Sequence, residues 1–303
     1  MLNDLKIFYS DNYTLPLPEG HRFPNEKYKL LRLALLEQGI LKEKNLFESP
    51  VASFDELVYA HSAEYVQSIR DGSVSTEIIK RIGFPWSLEL YLKAASTVGG
   101  ALQAALAALD FGVSGNLAGG THHAHYDRGE GYCIFNDQAV VTNYLLENKY
   151  VKKVAILDLD VHQGNGNSSI LGDKENVFIV SVHGEKNYPF KKIPSHLDIG
   201  LEDNAGDLLY LEAVKKGLSA IEQFKPDIIL YQMGVDALEF DSLGKLKVSY
   251  EGLIQRDENV FRLVKDKKIP ISLALGGGYS KPISHSIQAY LNTYRTLIRI
   301  FGS

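Results

Sequence analysis

The stretch Ile156-Leu-Asp158-Leu-Asp160-Val-His162-Gln-Gly164-Asn165-Gly166 joins an apolar run to two aspartates, a histidine and a glycine-rich turn. Residues two apart point to the same side of an extended chain, so Asp160 and His162 can converge on one point. Asp158 then lies one step deeper. The run 154–159 is rich in Val, Ile and Leu, which is typical of a strand buried on both faces. The stretch therefore predicts a buried strand whose carboxyl end carries reactive side chains.

Short apolar runs and segments of helical spacing alternate along the rest of the chain. Further strands are expected at Lys6–Tyr9, Val177–Val182, Asp227–Tyr231 and Ile271–Ala274. Helices are expected at Glu26–Glu37, Ser87–Leu109, Ala139–Glu147, Leu208–Phe224 and Tyr250–Lys265. Asp137 is expected to cap the third helix, and Pro226 to end the fourth. This alternation predicts one α/β domain over residues 1–303, with a mainly parallel central sheet and helices on both faces.

Composition excludes several classes of protein. The 303 residues are 45% hydrophobic and 23% charged, which can build a substantial core and is unlike a disordered chain. The net charge of −5, without a Lys/Arg-rich block, gives direct nucleic-acid binding little support. The single cysteine, Cys133, excludes an intrachain disulfide and a cysteine-ligated zinc finger. We see no secretory signal and no apolar run of the roughly 20 residues that a membrane span needs, so a cytoplasmic protein is expected.

Three other segments place unusual residues at strand ends or in glycine-flanked loops. The Asp227 run leads through Gly234 to Asp236, and the Ile271 run ends in Gly276-Gly-Gly-Tyr279. The segment 118–125 reads Ala-Gly-Gly-Thr-His-His-Ala-His, with three of the nine histidines of the chain. Functional groups of parallel sheets gather at the carboxyl ends of the strands, so these segments are expected to form one site.

Asp160, His162 and Asp236 form a mixed set of oxygen and nitrogen donors. Such a set suits Zn²⁺ with one coordination position left open, which is the catalytic rather than the structural pattern. Alone, Asp-x-Asp-x-His could equally consist of strand-end caps and turn formers. The second strand-end aspartate, Asp236, favours a metal site because two such carboxylates would otherwise carry uncompensated charge.

The adjacent histidines His122 and His123 suit general acid/base chemistry, since imidazole titrates near neutrality. Asp158 and Asn165 are available as partners, one charged and one neutral. A histidine backed by a carboxylate stays cationic more readily than one backed by an amide. His125 is expected to be non-catalytic.

Tyr279 gains meaning from the three glycines before it, which let the backbone pass close to a ligand. A tyrosine in that place can donate a hydrogen bond to a developing oxyanion. Taken alone, Gly-Gly-Gly-Tyr is more often an ordinary loop. In combination with the other motifs it indicates a catalytic role.

Together these motifs resemble the zinc-dependent histone deacetylase family, which has the arginase/deacetylase α/β fold. The match is ordered along the chain from about His21 to about Tyr290, and it includes the segment Asp127–Asp137 after the histidines. Class I enzymes carry Asp at the position of Asn165. The chain therefore looks like the class IV branch and its bacterial relatives.

The resemblance implies two ion sites. Asp160, His162 and Asp236 would bind one Zn²⁺ per chain. Asp158 and Ser181 would contribute side chains to a monovalent cation, K⁺ or Na⁺, near the zinc. The implied activity is that of an amidohydrolase, a deacylase that removes an acetyl or longer acyl group from lysine or a related amine.

The resemblance also implies the catalytic roles. His123 would be the general base and acid toward the attacking water, with Asn165 as its neutral partner. His122, paired with Asp158, would give electrostatic support, and Tyr279 would polarise the acyl carbonyl. The matching positions of the acyl-lysine tunnel are Gly131, Tyr132, Tyr188, Gly277 and Gly278.

Two alternatives to a deacylase are less favoured. Arginase-type ureohydrolases need two manganese ions and further carboxylates, but Gly164 and Asn165 follow the first motif here, and Ala237 and Leu238 follow Asp236. A degenerate binding protein on the same scaffold is less favoured because every expected catalytic position is occupied.

The substrate stays open between an acylated lysine in a peptide or protein and a small acylated amine, whether a metabolite or a polyamine. A polyamine-selective relative is expected to have an acidic residue just after the Asp241-Ser-Leu-Gly244 turn begins. In this chain that position is occupied by Leu243. Polyamine specificity is therefore disfavoured, and the oligomeric state is not predicted.

Overall fold

The described part of the chain, residues 4–302 of a computed structural model, contains eight strands and ten α-helices. The strands are β1 Lys6–Tyr9, β2 Leu46–Glu48, β3 Val113–Asn116, β4 Val154–Asp158, β5 Val177–Gly184, β6 Leu197–Leu201, β7 Ile228–Gln232 and β8 Ile271–Ala274. The helices are α1 Lys27–Glu37, α2 Phe54–Leu57, α3 Ala63–Asp71, α4 Thr76–Ile82, α5 Leu88–Phe111, α6 Asp137–Glu147, α7 Asn165–Leu171, α8 Asp207–Phe224, α9 Tyr250–Lys267 and α10 Ser284–Phe301. Residues 1–3 and 303 of the predicted domain lie outside the described residues.

The strands form one sheet in the order β2-β1-β3-β8-β7-β4-β5-β6, and every pairing between neighbouring strands is parallel. The predicted parallel sheet is thus confirmed, with β4 ending one residue earlier than expected, at Asp158. Three strands are not predicted from the sequence. β2 is only three residues long, β3 contains a glycine and an asparagine, and β6 is an edge strand with alternate residues exposed.

Both faces of the sheet are covered by helices, as predicted. Ala155 and Leu157 of β4 belong to one apolar cluster, with buried residues of α1, α8, α9 and α10. Val154 and Ile156 belong to another, with buried residues of α3, α5 and α6. Successive residues of a strand point to opposite faces, so a continuous Val-Ala-Ile-Leu run supplies both layers at once.

The end of α8 agrees with the sequence, but the predicted cap of α6 is wrong. α8 ends at Phe224, just before Pro226. Asn136 caps α6, since its side chain accepts a hydrogen bond from the Ala139 N–H. Asp137 is the first helical residue. Its carboxylate accepts hydrogen bonds from the loop that carries His122 and His123 (the histidine loop, residues 118–125), two of them from the backbone N–H and hydroxyl of Thr121. Asp137 therefore fastens that loop to the helix.

One described helix, α5, is long and apolar enough to cross a membrane by length and composition, and 72% of its most apolar window is buried inside the protein. Gly99 and Gly100 of this helix pack so closely that a Cβ on Gly99 would lie 2.0 Å from the Pro50 carbonyl oxygen. Burial and close packing describe a core helix, and the end at Phe111 is two residues beyond the predicted one.

Candidate active site

The site lies where β4, β7 and β8 end, because these three strands are neighbours in the sheet. In the register, Asp158 of β4 is opposite Gln232 of β7, which is opposite Ala274 of β8. The chain that follows each strand therefore leaves the sheet at the same edge. The segments 158–162, 234–236 and 276–279 meet there, as predicted.

Asp160, His162 and Asp236 bring their donor atoms together. The His162 Nδ1 atom lies 3.0 Å from Asp160 Oδ1 and 3.0 Å from Asp236 Oδ2. Among the described residues these three form the one group of at least three metal-ligating side chains, with all donor atoms within 4.8 Å of one another. Both aspartates are buried.

The second oxygen of each aspartate is held by a backbone donor. The Gly277 N–H donates to Asp160 Oδ2 at 2.6 Å, and the Val161 N–H donates to Asp236 Oδ1 at 2.8 Å. The remaining oxygens are thereby aimed at His162. Outer hydrogen bonds of this kind orient metal ligands, and two carboxylates with one imidazole fit a divalent ion such as zinc.

The electrostatics of this group also fit a cation. Burial alone would lower the pKa of His162, but its hydrogen bonds with Asp160 and Asp236 raise it to about 10. Burial and the neighbouring Asp160 charge raise the pKa of Asp236 above its usual value. The group thus holds a proton in a buried place with excess negative charge, and a metal ion would replace that proton.

The two adjacent histidines have different partners. The His122 Nδ1 atom lies 2.7 Å from Asp158 Oδ2, and the His123 Nδ1 atom lies 2.7 Å from Asn165 Oδ1. An amide oxygen only accepts, so His123 carries its proton on Nδ1 and presents Nε2 as the basic atom. The ring centroids of the two histidines are 4.1 Å apart.

These partners separate the charges of the pair. Burial lowers the pKa of His122, but the charge and the hydrogen bond of Asp158 outweigh burial and raise that pKa above its usual value. Burial, together with the charges of His122 and His162, lowers the pKa of His123 well below its usual value. The pKa of His122 is therefore held above that of His123, so His122 binds a proton more readily.

Tyr279 is fixed by the turn that follows β7. Its backbone N–H donates to Asp241 Oδ2 at 2.6 Å, and its carbonyl accepts from the Ser242 hydroxyl at 2.5 Å. Burial and nearby negative groups raise the pKa of the Tyr279 phenol well above its usual value. The hydroxyl consequently stays protonated and can act as a hydrogen-bond donor.

A cavity of about 530 Å³ opens above these groups. His122, His123, Asp160, His162 and Tyr279 contribute to its lining. Of the predicted tunnel residues, Gly131, Tyr132, Tyr188 and Gly277 also line the cavity. Gly278 does not, because it lies behind the wall, where a Cβ would meet Val235 and Ser286.

Comparison with known proteins now identifies the family. A sequence model of the histone deacetylase domain matches residues 21–294. The chain belongs to the histone deacetylase family. Membership supports a deacylase function for the site, whereas the class IV assignment stays a prediction.

Several known proteins are similar to the chain in sequence. An uncharacterized protein of Picosynechococcus sp. is 37% identical over 91% of this chain and 93% of that protein. Histone deacetylase 2 of Arabidopsis thaliana is 32% identical over 92% of this chain and 76% of that protein. Acetoin utilization protein AcuC of Staphylococcus aureus is 30% identical over 78% of this chain and 67% of that protein.

Solved structures of the family confirm the fold. A histone deacetylase homologue from Aquifex aeolicus superimposes with a TM-score of 0.82 at 24% identity, over 98% of this chain and 84% of that chain. The HD domain of HDA15 gives a TM-score of 0.79 at 19% identity, over 99% of this chain and 89% of that chain. The predicted arginase/deacetylase architecture is therefore present in this member of the family.

The residues predicted for a monovalent cation are neighbours in the sheet. Asp158 of β4 and Ser181 of β5 are register partners, and both are buried. Asp158 Oδ1 accepts from the Asp160 N–H at 3.2 Å, and the Ser181 hydroxyl lies 3.0 Å from His183 Nδ1. Their role in binding K⁺ or Na⁺ stays a prediction.

Four further residues support the site without having been predicted to do so. The Gln232 side-chain amide donates to the Gly120 carbonyl at 3.4 Å, and the buried Lys27 ammonium donates to the Gly276 carbonyl at 3.0 Å. Asp241 holds Tyr279, and Glu130 contacts Asn165. Gln232 could have been found as a polar residue ending an apolar run. Lys27 gives no such signal, since a lysine opening an amphipathic helix is ordinarily solvated.

Proposed function

We propose that this protein is a zinc-dependent amidohydrolase that removes an acyl group from the side chain of a lysine in a peptide or protein. The observation that carries the proposal is the buried Asp160, His162 and Asp236 group beside a pair of histidines, His122 and His123, one bound to a carboxylate and the other to an amide. Family membership supports the deacylase chemistry. A small acylated amine is the second candidate substrate.

Each group of the site has one task in the proposed reaction. Zinc held by Asp160, His162 and Asp236 would act as a Lewis acid toward water and the acyl carbonyl. His123 accepts the proton of the attacking water at Nε2 and later delivers it to the departing amine nitrogen. The His122 imidazolium stabilises the developing negative charge, and the Tyr279 hydroxyl donates a hydrogen bond to the acyl oxygen.

The mouth of the cavity favours some acylated amines over others. Exposed Arg22, Arg81, Lys186 and Lys245 line it, and the only carboxylate among the described lining residues is that of Asp160 at the floor. Leu243, at the position expected to be acidic in a polyamine-selective relative, also lines the cavity. Four cations at the mouth disfavour a polycationic amine and favour an acyl-lysine beside acidic residues.

The acyl group need not be acetyl. A mostly apolar cavity of about 50 Å³ shares five lining residues with the main cavity: Phe23, Tyr28, Gly119, Thr121 and Tyr132. A chain longer than acetyl would gain apolar contacts there. We therefore include longer acyl groups among the proposed substrates.

Turnover by the zinc-loaded protein tests the proposal. Acetyl-, octanoyl- and myristoyl-lysine peptides are offered beside acetylated polyamines, and the release of amine is measured. We expect hydrolysis of at least one acyl-lysine peptide and weaker turnover of the polyamines. No turnover of any peptide, with one zinc per chain confirmed by metal analysis, would contradict the proposed substrate class. Two manganese ions per chain would instead favour a ureohydrolase.

A further inference from the structure

The carboxylate of Glu130 lies next to the partners of His123 rather than next to His123 itself. We propose that Glu130 is a positioning residue that orients His123 through Asn165 and Tyr188. Its role in turnover rests on the proposed function, whereas the arrangement of side chains does not. The Glu130 carboxylate is connected to the His123 ring through the Asn165 amide.

The first connection runs through an amide. His123 Nδ1–H donates to Asn165 Oδ1 at 2.7 Å, and Asn165 Nδ2 donates to Glu130 Oε1 at 2.8 Å. The Asn165 amide thus accepts from the imidazole with one end and donates to the carboxylate with the other. A charged acceptor polarises such a chain and strengthens its members, so Glu130 fixes both the amide orientation and the His123 tautomer.

The second connection runs through an aromatic ring. The Tyr188 hydroxyl donates to the same Glu130 Oε1 atom at 3.0 Å. The Tyr188 ring packs edge-on against His123, with centroids 4.9 Å apart and an interplanar angle of 85°. Gly131 completes the packing, because a Cβ at this residue would lie 2.9 Å from His123 Cδ2 and 3.1 Å from the Tyr188 ring. Glu130 therefore holds His123 from two sides.

Glu130 is a built part of this cluster rather than a surface glutamate. Its side chain is 14% exposed, and a third group, His125 Nε2, lies 3.5 Å from Oε1. Burial alone would raise the pKa of Glu130, but hydrogen bonds from His125, Asn165 and Tyr188 lower it to about 2. The carboxylate consequently stays charged across the working range of pH.

Moving the carboxylate tests this role. Glu130→Gln keeps the size and the acceptor oxygen but removes the charge. We expect kcat on the best acyl-lysine peptide to fall about tenfold with KM within twofold, as is typical for an outer hydrogen-bond partner. In the double variant Glu130→Gln with Asn165→Asp, the charge returns one hydrogen bond closer to His123, and kcat should recover to within about threefold of the parent protein. Glu222→Gln, which removes an exposed carboxylate paired with Lys267 away from the cavity, is the matched control and should change neither constant.

A spectroscopic readout keeps the test independent of turnover. In the zinc-loaded protein, the downfield ¹H resonance of His123 Nδ1–H, assigned by its loss in His123→Gln, should shift in Glu130→Gln and stay in place in Glu222→Gln. An unshifted resonance, or a double variant no more active than Glu130→Gln, would contradict the positioning role and leave Glu130 with only a structural role in its loop. If the parent protein hydrolyses no peptide while the resonance shifts, the proposed substrate fails and the positioning role stands.

Discussion

At the scale of single residues, the site depends on what each histidine touches. His122 faces the carboxylate of Asp158, and His123 faces the amide of Asn165, each at 2.7 Å. The opposite shifts in their pKa values follow from these partners and from burial. Two chemically identical side chains, adjacent in sequence, are thereby prepared for different tasks.

Tyr279→Phe tests the oxyanion donor. Removing one preorganised donor to a developing oxyanion costs about 10²–10³-fold in kcat, so we expect a loss of that size with zinc content unchanged. Tyr132→Phe is the matched control, since Tyr132 lines the same cavity, with its ring centroid 6.4 Å from that of Tyr279, and should retain turnover. Steady-state kinetics with metal analysis provide the measurement. Equal activity of the two variants would remove Tyr279 from the mechanism.

The depressed pKa of Glu130 predicts a pH-dependent contribution to stability. The folded value of about 2 lies below the ordinary value of 4.5, so the contribution is present above pH 4.5 and is lost as the pH falls toward 2. Glu130→Gln should therefore lower the urea midpoint of unfolding at pH 7, with a smaller difference from the parent protein at pH 3. A difference that is constant over this range would show that the charge does not stabilise the fold.

At the scale of elements, parallel strands bring the metal-ligating residues together. Asp160 and His162 follow β4, Asp236 follows β7, and the glycine loop follows β8. The loop is as necessary as the ligands. The Gly277 N–H donates to Asp160, and the Gly277 backbone passes so close to Asp236 that a side chain would not fit between them. The backbone that follows β8 thus positions the metal-ligating residues that follow β4 and β7.

Gly277→Ala tests this dependence. A Cβ at this position would lie 1.8 Å from Asp236 Oδ2 and 2.9 Å from Asp160 Oδ2, so we expect zinc binding to be lost or strongly weakened. Gly206→Ala is the control, because the nearest atom to its Cβ is the Lys247 carbonyl oxygen at 3.6 Å and its φ of −99° suits alanine. Zinc content after competition with a chelator measures the effect. Full occupancy in Gly277→Ala would mean that the loop shifts without cost.

The strand-end residues were predictable from sequence because the spacing of their side chains and their position after an apolar run are enough to find them. Asp160 and His162 share a face by their two-residue spacing, and burial of the preceding run marks the strand. The predicted cap of α6 was one residue too late. Asn136 and Asp137 are both good capping residues, and Asn136 is the cap because the Asp137 carboxylate binds the histidine loop instead. β3 and β6 were missed because glycine and polar residues weaken the signal of a strand.

At the scale of the whole molecule, the residues that escaped prediction act across long sequence separations. Lys27 of α1 donates to Gly276, and Glu130 reaches Asn165 and Tyr188. Neither periodicity nor composition contains such contacts, which arise only when the sheet is assembled. The same assembly gathers basic residues from four separate segments at the mouth of the cavity, although the chain as a whole has a net charge of −5.

The charge of the mouth predicts how the peptide context of an acyl-lysine affects turnover. Arg81 and Lys186 are each paired with an exposed glutamate, whereas Arg22 and Lys245 have no carboxylate partner among the described ion pairs. We expect kcat/KM to be several-fold higher for an acyl-lysine flanked by aspartates than for one flanked by lysines. Exposed charge pairs contribute up to about 1 kcal/mol each, which sets this modest size.

Salt and substitution together decide whether the mouth causes that preference. The ratio of kcat/KM for acidic over basic peptides should fall as ionic strength rises, because the Debye length shrinks from about 10 Å at 0.1 M to about 3 Å at 1 M. At low salt, the double variant Arg22→Gln with Lys245→Gln should have a lower ratio than the parent protein. Arg70→Gln, which removes an exposed charge that does not line the cavity, should leave it unchanged. A ratio that is insensitive to both salt and the double substitution would place the selectivity inside the tunnel, where shape rather than charge acts on the acyl-lysine.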